Sequence, residues 1–369
     1  MIPAALQGQD ESYDLLLKGG HVIDPKNEVD GVMDIAIMDG RIASVGSQIS
    51  AERAKNIAGY YITPGLIDIH AHHFHGTKPN QYLSNSFTAL PPDGFTFRAG
   101  VTTAVDVGGS GWKNFDLFKE QVIERSQTRI LAFINIVGSG MREVVPFEQN
   151  LDDMNPKMTA MVANQNPEIA GIKIAHYIGH EWEPYFRAVE AAELTDLPVM
   201  VDFGEAEPVL ELNYLFQNVL RSGDIYTHTY FGSITGEVGR QSVIDENGIL
   251  RPGISEAREK GIIFDVGFGG GSFFFDIAVP ATNQNFWPHT ISTDLHTGSM
   301  NGGMKNMLNV VSIFLNLGMN LQEVIKASTW TPAQVILRED LGHLSVGAEA
   351  DVAVLICMRA ILDFRIPAN

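Results

Sequence analysis

The chain is poor in cysteine and in basic residues. Cys357 is the single cysteine among 369 residues, which excludes an intrachain disulfide and a zinc site made of several thiolates. Lysine and arginine together number 25, against 44 aspartates and glutamates, and the formal net charge is −19. This balance argues against nucleic acid or an anionic membrane as the main partner, and it favours a small-molecule substrate.

Long apolar runs are missing as well. No window of the sequence approaches the roughly 20 apolar residues that a transmembrane helix needs. Residues 1–11 contain neither the basic region nor the apolar core of a signal peptide. These observations predict a cytoplasmic protein. The 45% of hydrophobic residues suffice for a large core, so the length fits one barrel with a small accessory domain, or two ordinary domains.

The first part of the chain is rich in strand patterns. Four strand-like runs lie between residues 13 and 62, and Asp39-Gly40 separates two of them, which is a strong signal for a hairpin. Near the other end, residues 341–355 have the pattern of a tight turn followed by a strand. We therefore predict a small, discontinuous β-sandwich domain built from both termini, residues 1–61 and 343–369.

Residues 62–342 alternate between short apolar runs and helical patterns, which is typical of a parallel α/β fold. Eight such units in roughly 280 residues match the size of a (β/α)8 TIM barrel, which is the predicted fold of this domain. The eight predicted strands are 62–72, 101–109, 129–138, 169–177, 197–204, 224–232, 261–271 and 289–298. The long connections 73–97 and 233–252 are expected to form the substrate pocket.

Residues able to bind a metal lie near the C-terminal ends of five predicted strands, and this edge is the functional face of such a barrel. His70 and His72 end the first strand. Because residues two apart on a strand point to the same side, both imidazoles can reach one ion. The other four strand ends carry Lys173, Asp202, His228 and Asp294. Taken singly, a surface histidine cluster, an ion pair of Lys173 or a helix N-cap at Asp294 would explain these residues equally well.

Five motifs are spread over nearly the whole chain. They are Asp14-Leu-Leu-Leu-Lys-Gly-Gly-His-Val-Ile-Asp-Pro, Thr63-Pro-Gly-Leu-Ile-Asp-Ile-His-Ala-His, Gly171-Ile-Lys, Ile291-Ser-Thr-Asp-Leu-His and Gly347-Ala-Glu-Ala-Asp-Val-Ala-Val-Leu. Together they resemble the amidohydrolase superfamily of metal-dependent hydrolases, in its deacetylase or dihydroorotase-like branch. The combination is highly specific, whereas the closing motif alone would be weak.

The resemblance implies two divalent ions, most commonly Zn2+, which are bridged by a hydroxide and by Lys173 as its carbamate. His70, His72 and Asp294 would bind the first ion, and His228 would bind the second. On the fifth strand, where the family has a histidine, this chain has Asp202. Either Asp202 is a substitute ligand, or the second ion is weak or absent. Asp294 would also be the general base, taking a proton from the hydroxide-forming water.

Four further residues are predicted to contact the substrate. His176 and Tyr177 follow the lysine strand, and His296 lies two residues beyond Asp294. Phe268 stands where related deacetylases carry a histidine, and it would make one wall of the pocket apolar. The sequence does not show which of these side chains point inward.

The predicted function is metal-dependent hydrolysis of an amide or ester bond in a small N-acylated or O-acetylated acid. The alternative enzymatic hypothesis is that the protein is a cyclic amide hydrolase similar to dihydroorotase, or a heterocycle deaminase. The third hypothesis is that it is a barrel homologue without catalytic activity. The tail after Leu355 is shorter than the closing strands of relatives, and an uncovered sheet edge predicts a homodimer or reduced stability.

Overall fold

The computed structural model describes residues 13–76, 88–142 and 146–358. The chain divides into two compact units, Met1–Pro64 with His343–Asn369, and Gly65–Gly342. The division lies at Gly65, three residues later than the predicted boundary. The predicted first barrel strand is in fact two strands, because residues 61–64 pair within the first unit and only residues 66–71 join the second.

The described strands of the first unit form one mixed sheet of six strands. In chain order the first five are β1 (Leu15–Asp24), β2 (Val29–Met38), β3 (Arg41–Gly46), β4 (Ala54–Asn56) and β5 (Tyr61–Pro64), and a closing strand is Val352–Leu355. The closing strand pairs antiparallel with β5. The second sheet that a sandwich requires stays a prediction.

The hairpin predicted at Asp39-Gly40 is confirmed. Strands β2 and β3 are antiparallel, and Met38 is opposite Arg41 across the turn. Asp39 and Gly40 both have positive φ, 52° and 70°, which is the geometry that a two-residue hairpin turn requires. Most of the tail after Leu355, residues 359–369, lies outside the described residues, and so the dimer stays a prediction.

Over its described residues, the second unit is built on a curled parallel sheet of seven strands, whose spatial order is the same as their order in the chain. They are β6 (Leu66–Ala71), β7 (Val101–Gly111), β8 (Arg129–Asn135), β9 (Ile169–Ala175), β10 (Val199–Asp202), β11 (Ile225–Tyr226) and β12 (Ile263–Phe264). This regular order is the one that repeated strand–helix units produce. The unit is therefore an α/β fold, as predicted.

Residues 290–295 contact both edges of this sheet. Thr290 makes a parallel bridge to Asp265, just beyond β12, and Leu295 makes one to Ala71, the last residue of β6. The backbone N–H of His72 also donates to the carbonyl of Leu295 at 2.9 Å. One extended segment thus links the first and the last strand of the sheet.

In the described part of this unit, nine helices connect the strands or follow them. They are α1 (Phe115–Gln121), α2 (Pro156–Gln165), α3 (Glu183–Glu193), α4 (Leu212–Tyr214, continued by a π-helical turn, Leu215–Val219), α5 (Ile254–Lys260), α6 (Phe275–Asn283), α7 (Met307–Leu317), α8 (Leu321–Lys326) and α9 (Trp330–Val335). Short 3-10 turns occur at Phe97–Ala99, Ile123–Arg125, Phe147–Gln149 and Leu151–Asp153. Within the described ranges, no helix has the length and apolarity to cross a membrane.

The two faces of the central strands pack into different hydrophobic clusters. On β7, Val105 and Val107 belong to one cluster, whereas Ala104 belongs to the other. On β8, Leu131 and Phe133 likewise alternate with residues of the opposite cluster. Since side chains alternate along a strand, both faces of this sheet are buried. Polar residues with a chemical role are consequently displaced to the strand ends.

Candidate active site

A cavity of about 460 Å3 opens where β6, β9, β10 and β11 end. It brings together all six residues predicted as metal ligands and two of the four predicted substrate contacts. Its lining includes His70, His72, Lys173, His176, Asp202, His228, Asp294 and His296, with Met141, Ile178, Phe203 and Phe231 as apolar walls. Residues 77–87, part of the connection predicted to overhang this edge, lie outside the described residues.

His70 is held in the tautomer that suits a metal ligand. Its Nδ1 lies 2.8 Å from the hydroxyl of Thr227, while its Nε2 lies 3.5 Å from Oδ1 of Asp294. Burial, and then the charge of Lys173, lower the pKa of His70 to about 3. The imidazole is therefore neutral near pH 7, and a ring nitrogen that is not occupied by Thr227 can offer its lone pair.

Asp294 lies between the two histidines of the first strand. Its Oδ1 is 3.0 Å from Nε2 of His72, and its φ of 49° places a non-glycine residue in the left-handed region. Burial alone would raise the pKa of Asp294, but the imidazoles of His70 and His72 hold it below its ordinary value. Asp294 is therefore an anion. Such an unusual backbone conformation is typical of functional positions, where the surrounding structure enforces it.

His228 follows β11 and also has a positive φ, of 54°. Its Nδ1 lies 2.5 Å from the carbonyl oxygen of Gly267, so that N–H donates to the backbone and Nε2 faces the cavity. Gly267 must be a glycine, because a Cβ there would lie 2.8 Å from Nδ1 of His228 and 3.0 Å from Nδ1 of His70. Gly267 thus supports the site through its backbone carbonyl, which accepts from His228.

Three of these residues fit a divalent ion. One ligand atom each of His70, His228 and Asp294 lies within 4.8 Å of the others, and all three side chains are buried. Two imidazole nitrogens with a carboxylate oxygen are a typical zinc donor set. His72 adjoins this group through its contact with Asp294. We refer to these four residues as the Asp294 group.

Lys173 is fully buried and lines the cavity. Its Nζ has no hydrogen-bond partner among the described residues. Burial lowers the pKa of this amine, although the carboxylates of Asp202 and Asp294 oppose the shift. Burying a cation without hydrogen bonds is energetically unfavourable, so the neutral amine is favoured. The neutral amine is the form that reacts with carbon dioxide to give a carbamate.

Asp202 ends β10 and is contacted by three basic side chains. Its Oδ2 lies 3.2 Å from Nε2 of His176 and 3.3 Å from Nε2 of His228, and its Oδ1 lies 3.2 Å from Nη1 of Arg240. Although burial opposes ionisation, His228 and His176 hold the pKa of Asp202 well below its usual value. The carboxylate is therefore ionised and already surrounded by donors.

His176 connects Asp202 to a second buried carboxylate. Its Nδ1 lies 2.9 Å from Oε2 of Glu148, a side chain with no exposed surface. Burial opposes protonation, yet Asp202 and Glu148 raise the pKa of His176 well above its usual value. The ring is thus an imidazolium held in a fixed orientation at the cavity wall.

Two predicted substrate contacts lie away from the cavity lining. Phe268 stacks on Phe273, with ring centroids 4.4 Å apart, inside the hydrophobic core of this unit. Tyr177 directs its hydroxyl to Glu181 at 2.7 Å, and its ring also belongs to the core. Both aromatic side chains are largely apolar, and burial in the core is favoured over exposure in the pocket.

Several supporting residues were absent from the sequence prediction. Asp265 accepts from the hydroxyls of Thr227, Thr290 and Ser292 at 2.6–2.7 Å, and Thr227 in turn contacts His70. Asp265 directly follows the strand end Phe264, but the predicted strand 261–271 extended beyond it, so the strand-end rule did not mark this residue. Glu148 lies in a connection, where no pattern in the sequence marks it.

The chain is similar to known proteins over nearly its whole length. No model of a known protein family matches it. A deacetylase of Agrobacterium fabrum is 32% identical over 335 residues, which cover 88% of this chain and 78% of that relative. The crystal structure of a dihydroorotase is similar with a TM-score of 0.78 and 31% identity, covering 92% of this chain and 89% of the other. The crystal structure of an adenine deaminase is similar with a TM-score of 0.80 and 25% identity, covering 93% and 90%.

Proposed function

Because the chain belongs to the amidohydrolase superfamily, in its deacetylase-like branch, we propose that it hydrolyses an amide or ester bond of a small N-acylated or O-acetylated acid. It is a hydrolase of that superfamily, acting on carbon–nitrogen bonds other than peptide bonds or on related acyl bonds. The observation that carries the substrate proposal is the similarity over most of both chains to proteins named deacetylase.

The position of the cavity in the fold supports this proposal. The segment 290–295 would serve as the eighth strand and close the parallel sheet into a (β/α)8 barrel, since it bridges both sheet edges. The first unit would complete the predicted accessory sandwich. In such a barrel the active site lies at the C-terminal ends of the strands, which is where the cavity opens.

The Asp294 group would hold the divalent ion, most commonly zinc. His70 and His228 each present one ring nitrogen to the site because the other is bonded to Thr227 or to Gly267. A divalent ion bound there supplies Lewis-acid polarisation of the scissile carbonyl and lowers the pKa of water to about 7. The second ion of the sequence prediction would require His228, Lys173 as its carbamate, and Asp202 as the substitute ligand.

Asp294 is the proposed general base. It would accept a proton from the attacking water, whose oxygen forms the new bond to the acyl carbon. It would then give this proton to the leaving nitrogen or oxygen as the acyl bond breaks. Its Oδ2 faces His296, whose Nε2 lies 3.7 Å away, and a Cβ at Gly269 would lie 2.5 Å from this oxygen. The glycine thus leaves space at the atom that carries the proton.

The shape of the cavity suits a small acyl group. Met141, Ile178, Phe203 and Phe231 give it apolar walls, while His176 and His296 add polar contacts. A volume of about 460 Å3 is within the usual range of small-molecule sites. We propose that the acyl chain contacts the apolar walls and that His176, as an imidazolium, attracts the acidic part of the substrate.

A screen of acylated acids tests this function. The zinc-incubated protein would be assayed for release of the free acid from N-acetyl amino acids and O-acetyl hydroxy acids, with chelator-treated protein as control. Turnover that is lost on chelation and in Asp294→Asn supports the proposal. Turnover that survives in Asp294→Asn would disprove the role of this residue.

A cyclic amide hydrolase or a deaminase is the second candidate. The observation that favours it is the likeness to a dihydroorotase and to an adenine deaminase structure. Ring opening of a cyclic amide and release of ammonia from a heterocycle are measured on the same protein preparation. If either exceeds acyl hydrolysis by about tenfold or more in kcat/KM, the deacetylase proposal is replaced.

A further inference from the structure

Arg240 is buried next to Asp202, and all three nitrogens of its guanidinium donate to neighbouring groups. Its Nε donates to the hydroxyl of Tyr226 at 3.0 Å. Its Nη2 donates to the carbonyls of Thr227 and His228 at 2.6 and 3.2 Å. Its Nη1 donates to the carbonyl of Phe203 at 3.3 Å and to Asp202 at 3.2 Å. The side chain has 1% exposure, and its hydrogen bonds connect the end of β10 to the residues that follow β11.

The hydrogen bonds of Arg240 limit the ability of Asp202 to bind a metal ion. One carboxylate oxygen faces Arg240, and the other faces the imidazole of His176. His176 is itself fixed by Glu148 on its far side. One oxygen of the Asp202 carboxylate is thus paired with a guanidinium and the other lies 3.2 Å from an imidazole nitrogen, so both oxygens are already engaged by protein groups. A dication beside Asp202 would also be repelled by the guanidinium.

The remaining neighbour of Asp202, His228, already has a place in the first metal site. A ligand atom of His228 lies within 4.8 Å of ligand atoms of His70 and Asp294. One ion can thus use His228 without any contribution from Asp202. The residues around Asp202 therefore do not fit a second ion, whereas the Asp294 group fits the first.

We infer that the Asp202–Arg240 ion pair takes the place of a second metal site, and that this protein binds one divalent ion per chain, at the Asp294 group. Asp202 is then a positioning residue. It holds His176 at the cavity wall and ties the end of β10 to Arg240. The inference rests on the proposed metal-dependent hydrolysis, and of the two alternatives that Asp202 left open it takes the absence of a second ion.

Metal counting tests this directly. The full-length protein is purified without chelator, incubated with zinc and bicarbonate, freed of unbound ions and analysed by plasma mass spectrometry. One zinc per chain is the expected result. Two per chain would overturn the inference and leave the proposed function intact. None would overturn both, so that the two failures are distinguishable.

Two matched variants locate the ion. Asp202 and Asp294 are buried carboxylates with nearly equal side-chain exposure, 8% and 9%. We expect Asp202→Asn to keep one zinc per chain with less than a tenfold change in affinity, whereas Asp294→Asn loses it. Loss of zinc from a folded Asp202→Asn protein would identify Asp202 as a ligand and overturn the inference. Circular dichroism establishes that each variant is folded.

A spectroscopic measurement on the unmodified chain covers the case in which Asp202→Asn does not fold. The protein is loaded with excess Mn2+ and desalted, and its electron paramagnetic resonance spectrum is recorded. The hyperfine pattern of isolated ions is the expected result. A spin-coupled pair would contradict the single-ion site, irrespective of catalytic activity.

Discussion

The carbonyl oxygen of Gly267 lies 2.5 Å from Nδ1 of His228. This contact fixes the ring of a residue that would bind the metal, and it leaves the opposite nitrogen facing the cavity. The backbone of Gly267 can approach so closely because the residue has no side chain. Its φ of 47° is also one that glycine adopts readily.

Substitution of Gly267 by alanine should therefore weaken metal binding. The new Cβ would lie 2.4 Å from the hydroxyl of Thr227 and would displace both His70 and His228. We expect zinc affinity and kcat/KM to fall by about 10- to 100-fold. Gly271→Ala, in the same glycine run but with no atom within 4 Å of its Cβ, is the matched control. Competition with a chelating dye measures the affinity, and equal values for the two variants would contradict the prediction.

Replacement of Lys173 by methionine should stabilise the metal-free protein. Burial lowers the pKa of Lys173, which means that its protonated form is disfavoured in the folded state. Methionine has a similar shape and no charge, so the free energy of unfolding should rise by about 1–3 kcal/mol. Urea denaturation of chelator-treated protein measures this change. Lys119→Met serves as control, because Lys119 pairs with Glu168 and should not gain stability when it is replaced.

The free energy of unfolding should decrease as the pH falls, because His289 becomes protonated. Burial, with the nearby charge of Arg258, lowers the pKa of this imidazole from 6.5 to about 4. Its Nδ1 accepts from the backbone N–H of Phe264, which only an unprotonated nitrogen can do. Between pH 6.5 and 4 the unfolded chain therefore binds the proton more strongly, and stability is lost as the pH falls, by up to about 3 kcal/mol.

The comparison of His289→Gln with the parent isolates this contribution. The difference in unfolding free energy between the two should shrink from pH 7 to pH 4. His180→Gln, in an exposed loop, is the control substitution. A difference that stays constant over this pH range would show that His289 is not the residue responsible.

Truncation of Met141 should widen the acyl preference. Met141 lines the cavity and has only 2% exposure, so alanine at this position leaves space for additional methylene groups. We expect kcat/KM for a butyryl substrate, relative to the acetyl one, to rise by roughly tenfold. Met161→Ala, on the exposed side of α2, should leave the ratio unchanged. An unchanged ratio in Met141→Ala would place the acyl group elsewhere.

Local periodicity explains how much of the site could be predicted. His70 and His72 end a strand on one face, which the two-residue repeat of β-structure requires. The strand ends of Lys173, Asp202, His228 and Asp294 were visible because buried strands appear as apolar runs. The cavity brings all six together. Their roles as ligands remain predictions.

The sequence by itself determined the parallel α/β pattern and the strand ends, since these depend on short-range hydrophobic repeats. Only the tertiary structure decided what each strand-end residue contacts. Arg240 reaches Asp202 from 38 residues further along the chain, and Glu148 reaches His176 from 28 residues before it. No local pattern encodes such pairs, because they depend on how the connections fold over the strand ends. The same packing directs Phe268 and Tyr177 into the core.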